Sequence, residues 1–387
     1  MLDEHKETVN QLRDTIERIL EDYDGEYWRE QDRVRAYPTA FVEKLTELGL
    51  LASLIPEEYG GSGLPLSVGA EILKAIHEFG GNAGACHAQM YTMGTVLRHG
   101  SDEQKAEYLP KIAAGELRLQ AFGVTEPTAG TDTTSISTTA VRDGDNYIVN
   151  GQKVWTSRAE HSDLMVLLAR TTPKEQVTKR TEGLSVFLVD MHEAKANGMT
   201  IKPIRTMVNH STTEIFFDDV AIPTTSLIGE EGQGFRYILS GMNAERILIA
   251  AECIGDARWF IKKASDYARE RSVFARPIGQ NQGIQFPIAK AFAQTEAAEA
   301  ILEKACLAYE SGDRAGTYAN LAKMLASEAS WEAADMCMQT HGGYAMAEEY
   351  DVERKFRETR LYRIAPISTN LILSFIAEHE LALPRSY

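Results

Sequence analysis

The chain has 387 residues, of which 44% are hydrophobic and 25% charged, and its 40 basic and 56 acidic side chains leave a formal net charge of −16. That length accommodates two or three domains, each with its own core, and the composition is that of an ordinary soluble globular protein. The acidic total argues against nucleic acid or an anionic membrane surface as a partner, although a few locally placed arginines can still bind a small anionic ligand.

Residues 1–118 read as mainly helical. "PTAFVEKLTELGLLASLIP" has helical periodicity as far as Pro56, and "LSVGAEILKAIHEFG" and "QKAEYLPKIAAGEL" repeat the pattern, with the turn cluster "EEYGGSGLP" between the first two. Over residues 119–228 the texture changes to short β-branched runs, among them "QAFGVTEP", "NYIVNGQKVWTS", "DLMVLLART", "GLSVFLVD" and "TEIFFDDVAI". "DGDN", "NG" and "EG" separate them as hairpin signals, and the block has the size of a sandwich or barrel. Residues 229–387 return to long apolar helices of the kind found in four-helix-bundle-like domains. Within them "FRYILSGMNAERILIAAECIGDARWFIKKASDYARER" reads as one helix, or as two with a bend near Gly255. The expected fold class is therefore α+β multidomain, in the order helical, β, helical.

The four cysteines are widely spaced and the nine histidines form no H-E-x-x-H, so reduced structural thiols are expected and no metal site is indicated. Residues 1–20 do not read as a signal peptide, no run approaches the ~20 apolar residues of a membrane span, and "LPRSY" is not a peroxisomal address. A cytoplasmic protein is expected, or one of the mitochondrial matrix if the chain is a mature form.

Common nucleotide loops, the G-x-S-x-G elbow and a nucleophilic triad are all missing, which turns attention to a redox cofactor held by other means. "AFGVTEPTAGTDTTS" (121–135) is the densest polar stretch of the β block. Its small residues allow close backbone approach to a flat ligand and its hydroxyls supply donors and acceptors, but an ordinary Gly/Thr-rich loop has the same composition. "NGQKVWTS" places Trp155 before two hydroxyls, as a core residue or as a cover for an aromatic cofactor. In "MNAERILIAAE" (242–252), Glu245 shares its helical face with Gly241, Met242, Leu248 and Ile249, none of which solvates a carboxylate. It is either a core carboxylate paired with a distant base or a functional group.

Taken together, "PEEYGGSGLP", "AFGVTEPTAGTD", "NGQKVWTS", "GEEGQGF", "ERILIAAE", "ARERSVFARPIGQNQ" and "MQTHGGYAMAEEYDVERKFRETRLYRI" resemble, in this order and along essentially the whole chain, the acyl-CoA dehydrogenases. The resemblance implies FAD between the β domain and the C-terminal bundle. Phe122, Gly123, Val124 and Thr125 would pass their backbone along the flavin, Thr125 and Ser157 would hydrogen-bond its ring, and Trp155 and Thr156 would lie beside it. Gly130 belongs to the same loop, and Thr131 falls where the family has a Ser touching both FAD and substrate. The tail of a neighbouring subunit's FAD would meet Arg271, Phe274, Gln282, Gln339, Gly342 and Gly343, and Ser368 and Asn370 fall where the family has Thr and Gln near FAD. A shared FAD implies a homo-oligomer, usually a tetramer. Arg158 and Ala345 depart from the family's common Asn and Gly.

The family reaction removes a proton from Cα and a hydride from Cβ, so it needs a carboxylate base, whose pKa low surrounding polarity would raise. Most members carry that Glu in a late Y-x-I-x-E-G-T motif. Here the segment reads "LYRIAPISTN", with Pro366 in its place after Ala365. Isovaleryl-CoA and long-chain acyl-CoA dehydrogenases place the Glu immediately before an Arg on the first long C-terminal helix, and the matching residue is Glu245. Arg246 and Asn243 would then hold the CoA moiety, and Met242, Ala365 and Pro366 would line the substrate. The implied activity is α,β-dehydrogenation of an acyl-CoA, with reduced flavin passing electrons to an electron-transfer flavoprotein. The rivals are the same chemistry on a carrier-protein thioester, a flavin oxidase or monooxygenase of the same fold, and a non-catalytic acyl-CoA-binding relative.

Overall fold

The computed structural model describes residues 5–385, so Ser386 and Tyr387 of "LPRSY" lie outside the described residues. The first six helices are α1 (Lys6–Asp22), α2 (Gly25–Val34), α3 (Thr39–Glu47), α4 (Leu66–Glu78), α5 (Gly84–His99) and α6 (Asp102–Ala113). Strands β1 (Leu119–Gly123), β2 (Thr139–Asp143), β3 (Asn146–Ser157), β4 (Leu164–Arg170) and β5 (Leu184–Asp190) follow. After α7 (Met191–Ala196) come β6 (Met199–Pro203), β7 (Thr212–Pro223) and β8 (Leu227–Ile228). The long helix α8 (Gly234–Glu270) leads to the hairpin β9 (Ser272–Val273) and β10 (Arg276–Pro277). Helices α9 (Gln282–Ser311), α10 (Ala315–His341), α11 (Val352–Tyr362) and α12 (Thr369–His379) complete the order.

Two local features differ from the sequence expectation, and a third decides between two readings it left open. The helix expected to reach Pro56 ends early, because Gly49 takes φ +71°, a conformation open to glycine, and the chain continues as a short 3₁₀ turn. Helix α7 interrupts the block read as wholly β; the Asp190 side chain caps it by accepting from the backbone N–H groups of His192 and Glu193. Finally, α8 is one helix of 37 residues, the first of the two readings its sequence allowed. A Cβ at Gly255 would lie 2.3 Å from the Lys74 carbonyl oxygen, so this glycine serves close packing of α8 on α4.

The chain forms two compact units. The one made of Arg35–Leu64 and Gly84–Met242 contains an eight-stranded sheet in the order β6-β7-β3-β2-β4-β5-β8, with β1 parallel to β4. Strand β4 is buried along its whole length, and its alternate residues feed two cores. Leu164, Val166 and Leu168 pack with Met93, Val96, Leu109 and Ile112 of α5 and α6. Met165, Leu167 and Ala169 pack with Val149, Ile215 and Phe217 of β3 and β7. Each fully buried Leu or Val contributes roughly 1.5–3 kcal/mol, which makes this central strand the anchor of the unit.

The other unit holds α1, α2, α4, α8 from Asn243 onward, and the elements that follow it. Its helices are tied by buried charge as well as by apolar packing. Asp256 of α8 pairs with His77 of α4 at 2.8 Å and with Lys355 of α11. The other His77 ring nitrogen accepts from the Ala83 N–H at 3.0 Å, so the nitrogen facing Asp256 is the one that carries the proton. All four cysteines are buried, and none forms a disulfide. Among the described residues no helix is long and apolar enough to cross a membrane, and no cluster of His, Cys, Asp or Glu could hold a metal ion.

Candidate active site

The loop after β1 is held by β3. Lys153 stands in step with Tyr147 and Val149 on the inward side of β3 and is fully buried. Its ammonium donates to the Val124 carbonyl at 3.1 Å and pairs with Glu126 at 2.8 Å. Glu126 also accepts from the Ser137 N–H (2.6 Å), the Ser137 hydroxyl (2.9 Å) and the Thr138 N–H (2.9 Å). Burial pushes the Glu126 carboxyl up, but the Lys153 charge and these hydrogen bonds outweigh it and hold the group at about 2. Burial in turn pulls Lys153 down to about 8 against the pull of Glu126. Thr125 is joined to β3 by its carbonyl, which accepts from the Val154 N–H at 2.9 Å. Gly123 points inward, where a Cβ would come within 3.0 Å of Met165 Sδ. The Phe122 ring meets Tyr91 edge to face at 5.3 Å.

The far end of β3 turns an aromatic outward. Its register with β7 slips between Lys153 and Thr156, and Trp155 takes φ +62°. The indole is left 59% exposed. Beside it, the buried Thr156 hydroxyl has no partner, and Ser157 Oγ accepts from Asn209 Nδ2 at 2.7 Å. Gly130 and Thr131 are exposed, and a Cβ at Gly130 would meet nothing within 4 Å. Met242 is half-buried against the core that α5 and α6 share with β4.

In the helical unit, Glu245 is only 9% exposed on α8, next to buried Ala244, Leu248 and Ile249. Arg246 is buried too and donates to Asn243 Oδ1 at 2.8 Å, while its Nε has no partner. Burial lowers Arg246 to about 10, opposed by the charge of Glu245. Ala365 and Pro366 are half-buried just before Ile367, whose carbonyl accepts from Lys323 Nζ at 2.7 Å. Ser368 caps α12 by accepting from the Leu371 N–H at 3.4 Å, which engages its hydroxyl oxygen locally, and Asn370 is exposed.

The residues expected from the sequence to meet an FAD tail are all exposed. Phe274 sits at φ +54° in the β9–β10 turn and is 97% exposed. Arg271 places its guanidinium 5.7 Å from the Tyr344 ring, next in sequence to Gly342 and Gly343. A Cβ at either glycine would meet nothing within 4 Å. Gln282, which opens α9, and Gln339, near the end of α10, are exposed.

Comparison with known proteins decides the family. Models of the acyl-CoA dehydrogenase N-terminal, middle and C-terminal domains match residues 4–116, 121–220 and 232–381. The chain belongs to the acyl-CoA dehydrogenase family. It is 34% identical over 385 residues to the acyl-CoA dehydrogenase FadE12 of Mycobacterium tuberculosis, covering 97% of this chain and 96% of that one. Among solved structures, the acyl-CoA dehydrogenase of Geobacillus kaustophilus superposes with a TM-score of 0.90 at 28% identity, over 97% of this chain and 98% of the other. The FAD complex of PigA superposes at 0.89 with 25% identity, over 97% and 98%. This acyl-CoA dehydrogenase is thus an FAD-dependent oxidoreductase with an N-terminal helical, a middle β-sheet and a C-terminal helical domain.

The side chains present fit FAD. An outward indole, an unpartnered buried hydroxyl at Thr156 and a Ser157 hydroxyl free to donate its proton suit the edge and face of a flat ring system. Arg271 beside two unobstructed glycines suits a pyrophosphate. The sequence reading did not single out Lys153, Glu126 or Lys323. A signal existed for the lysines: Lys153 falls on the inward period of β3, and Lys323 on the stripe of Ala319, Ala322 and Ala326, all buried.

Proposed function

We propose that this acyl-CoA dehydrogenase converts an acyl-CoA thioester to its trans-2-enoyl-CoA, with Glu245 as the base that takes the α-proton. The observation that carries this reading is a carboxylate on α8, 9% exposed beside buried Leu248 and Ile249, in a chain with Pro366 where most of the family has its base. A carboxylate shielded from water is the group suited to abstract a weakly acidic α-proton. FAD, when bound, supplies the acceptor for the β-hydride.

The other roles belong to the chain itself. Phe122–Thr125, Thr156 and Ser157 offer backbone and hydroxyl groups to the flavin ring, Trp155 covers it, and Gly130 and Thr131 border it. Asn243 and Arg246, already bonded to each other, bind the CoA moiety, with Met242, Ala365 and Pro366 lining the acyl group. Arg271, Phe274, Gln282, Gln339, Gly342 and Gly343 hold the FAD tail of a neighbouring copy, with Ser368 and Asn370 close by, which makes the protein a homo-oligomer. An electron-transfer flavoprotein reoxidises it.

Anaerobic titration of the oxidised flavin with straight-chain, branched and cyclic acyl-CoAs tests the reading. Bleaching by any of them, lost in Glu245→Gln, supports it. Bleaching only by the same acyl groups on a carrier protein moves the substrate to that class, and bleaching undiminished in Glu245→Gln removes the base assignment.

A further inference from the structure

Lys323 is buried deep in α10 at a place where packing gives no reason for a charge. Its neighbours one turn away, Ala319, Asn320, Ala326 and Ser327, are all buried; the Ser327 hydroxyl donates to the Met324 carbonyl, and Asn320 Oδ1 has no partner. An unpaired buried ammonium costs several kcal/mol. Burial accordingly pulls Lys323 down to about 8; the Cys253 thiol and Glu245 favour its cation, and Arg363 and Arg246 oppose it. The hydrogen bond it makes is to a backbone carbonyl, that of Ile367, at 2.7 Å. Two features meet at this one group. The carbonyl belongs to the Ala365–Pro366–Ile367 segment, and the charge acts on Glu245 and Arg246.

We propose that Lys323 is a positioning residue for the dehydrogenation: it anchors the Ala365–Ile367 segment through the Ile367 carbonyl and supplies a positive charge to the surroundings of Glu245. The inference rests on the role of Glu245 proposed above. It also accounts for a lysine on a buried alanine stripe, where methionine would fill the space without the desolvation penalty.

Lys323→Met, of similar length and without charge, is the test, read on the FAD-loaded enzyme with an acyl-CoA that bleaches the flavin. The expected result is wild-type FAD content, a substrate affinity close to wild type, and a rate of flavin reduction lower by roughly 10- to 100-fold, the scale of a misplaced catalytic group. The acid limb of the pH–rate profile should also move to higher pH, since a carboxylate deprived of a nearby cation holds its proton more tightly. In the Glu245→Gln background the same substitution should cost little. An unchanged rate and acid limb, or losses that multiply in the double variant, overturn the proposal. If Lys323→Met does not fold, Lys323→Arg decides, because it keeps the charge: an acid limb at the wild-type pH supports the role and a displaced one overturns it. The two readings fail separately. Full activity of Glu245→Gln removes the base, whereas an enzyme disabled by that change but indifferent to Lys323→Met loses only the inference.

Discussion

Lys153 and Glu126 form an ion pair with Nζ 2.8 Å from Oε1, and both side chains are buried, at 0% and 2% exposure. The same ammonium donates to the Val124 carbonyl, so one buried charge fixes both the loop after β1 and the strand that carries Trp155. Removing one partner of such a pair strands the other. Lys153→Met should destabilise the protein by about 3–5 kcal/mol, since Glu126 is left as an uncompensated buried carboxylate. Urea unfolding measures this loss, and flavin absorbance after gel filtration shows whether the loop still retains FAD.

The pair also sets an acid limit. Glu126 is held at about 2 in the folded protein against an ordinary 4.5, so between these values the unfolded chain binds the proton more readily. Its contribution to stability is present above about pH 4.5 and disappears as pH falls towards 2. Urea midpoints taken through this range should decline less steeply in Glu126→Gln than in the wild type.

Glu245→Gln keeps the shape of the side chain and removes its basicity. General-base catalysis supplies roughly 10²–10⁴-fold, so this variant should reduce its flavin with acyl-CoA at least about 100-fold more slowly while retaining FAD. Stopped-flow absorbance of the flavin band under anaerobic conditions gives the rate directly.

Trp155 separates fold from ligand. Because its indole is 59% exposed, Trp155→Ala should change the stability of the flavin-free protein by no more than about 0.5 kcal/mol. Loss of a ring stacked on a flat aromatic ligand should weaken FAD binding by roughly 2- to 12-fold, the equivalent of about 0.5–1.5 kcal/mol. Isothermal titration of the flavin-free variant with FAD checks both the affinity and the integrity of the protein.

The α, β, α order was legible from periodicity, and so was the inward face of β4. Both depend on spacing along the chain. The same rule would have placed Lys153 and Lys323 inside, yet a buried lysine is intelligible only through its partner, and Glu126 and the Ile367 carbonyl lie 27 and 44 residues away. Gly255 shows the converse. In sequence a glycine within a long helix suggests a bend, while in the structure it is the point of closest approach to the Lys74 carbonyl.

The sequence by itself determined the α, β, α order of the chain, its family, and the presence of Pro366 in the segment "LYRIAPISTN". These follow from local pattern and residue identity. Tertiary structure alone decided that Lys153 meets Glu126 and the Val124 carbonyl, that Lys323 meets the Ile367 carbonyl, and that Trp155 turns outward at a register slip. Periodicity says which side chains face inward, but the partner that a buried charge finds is set by chain segments distant in sequence and brought together only by packing.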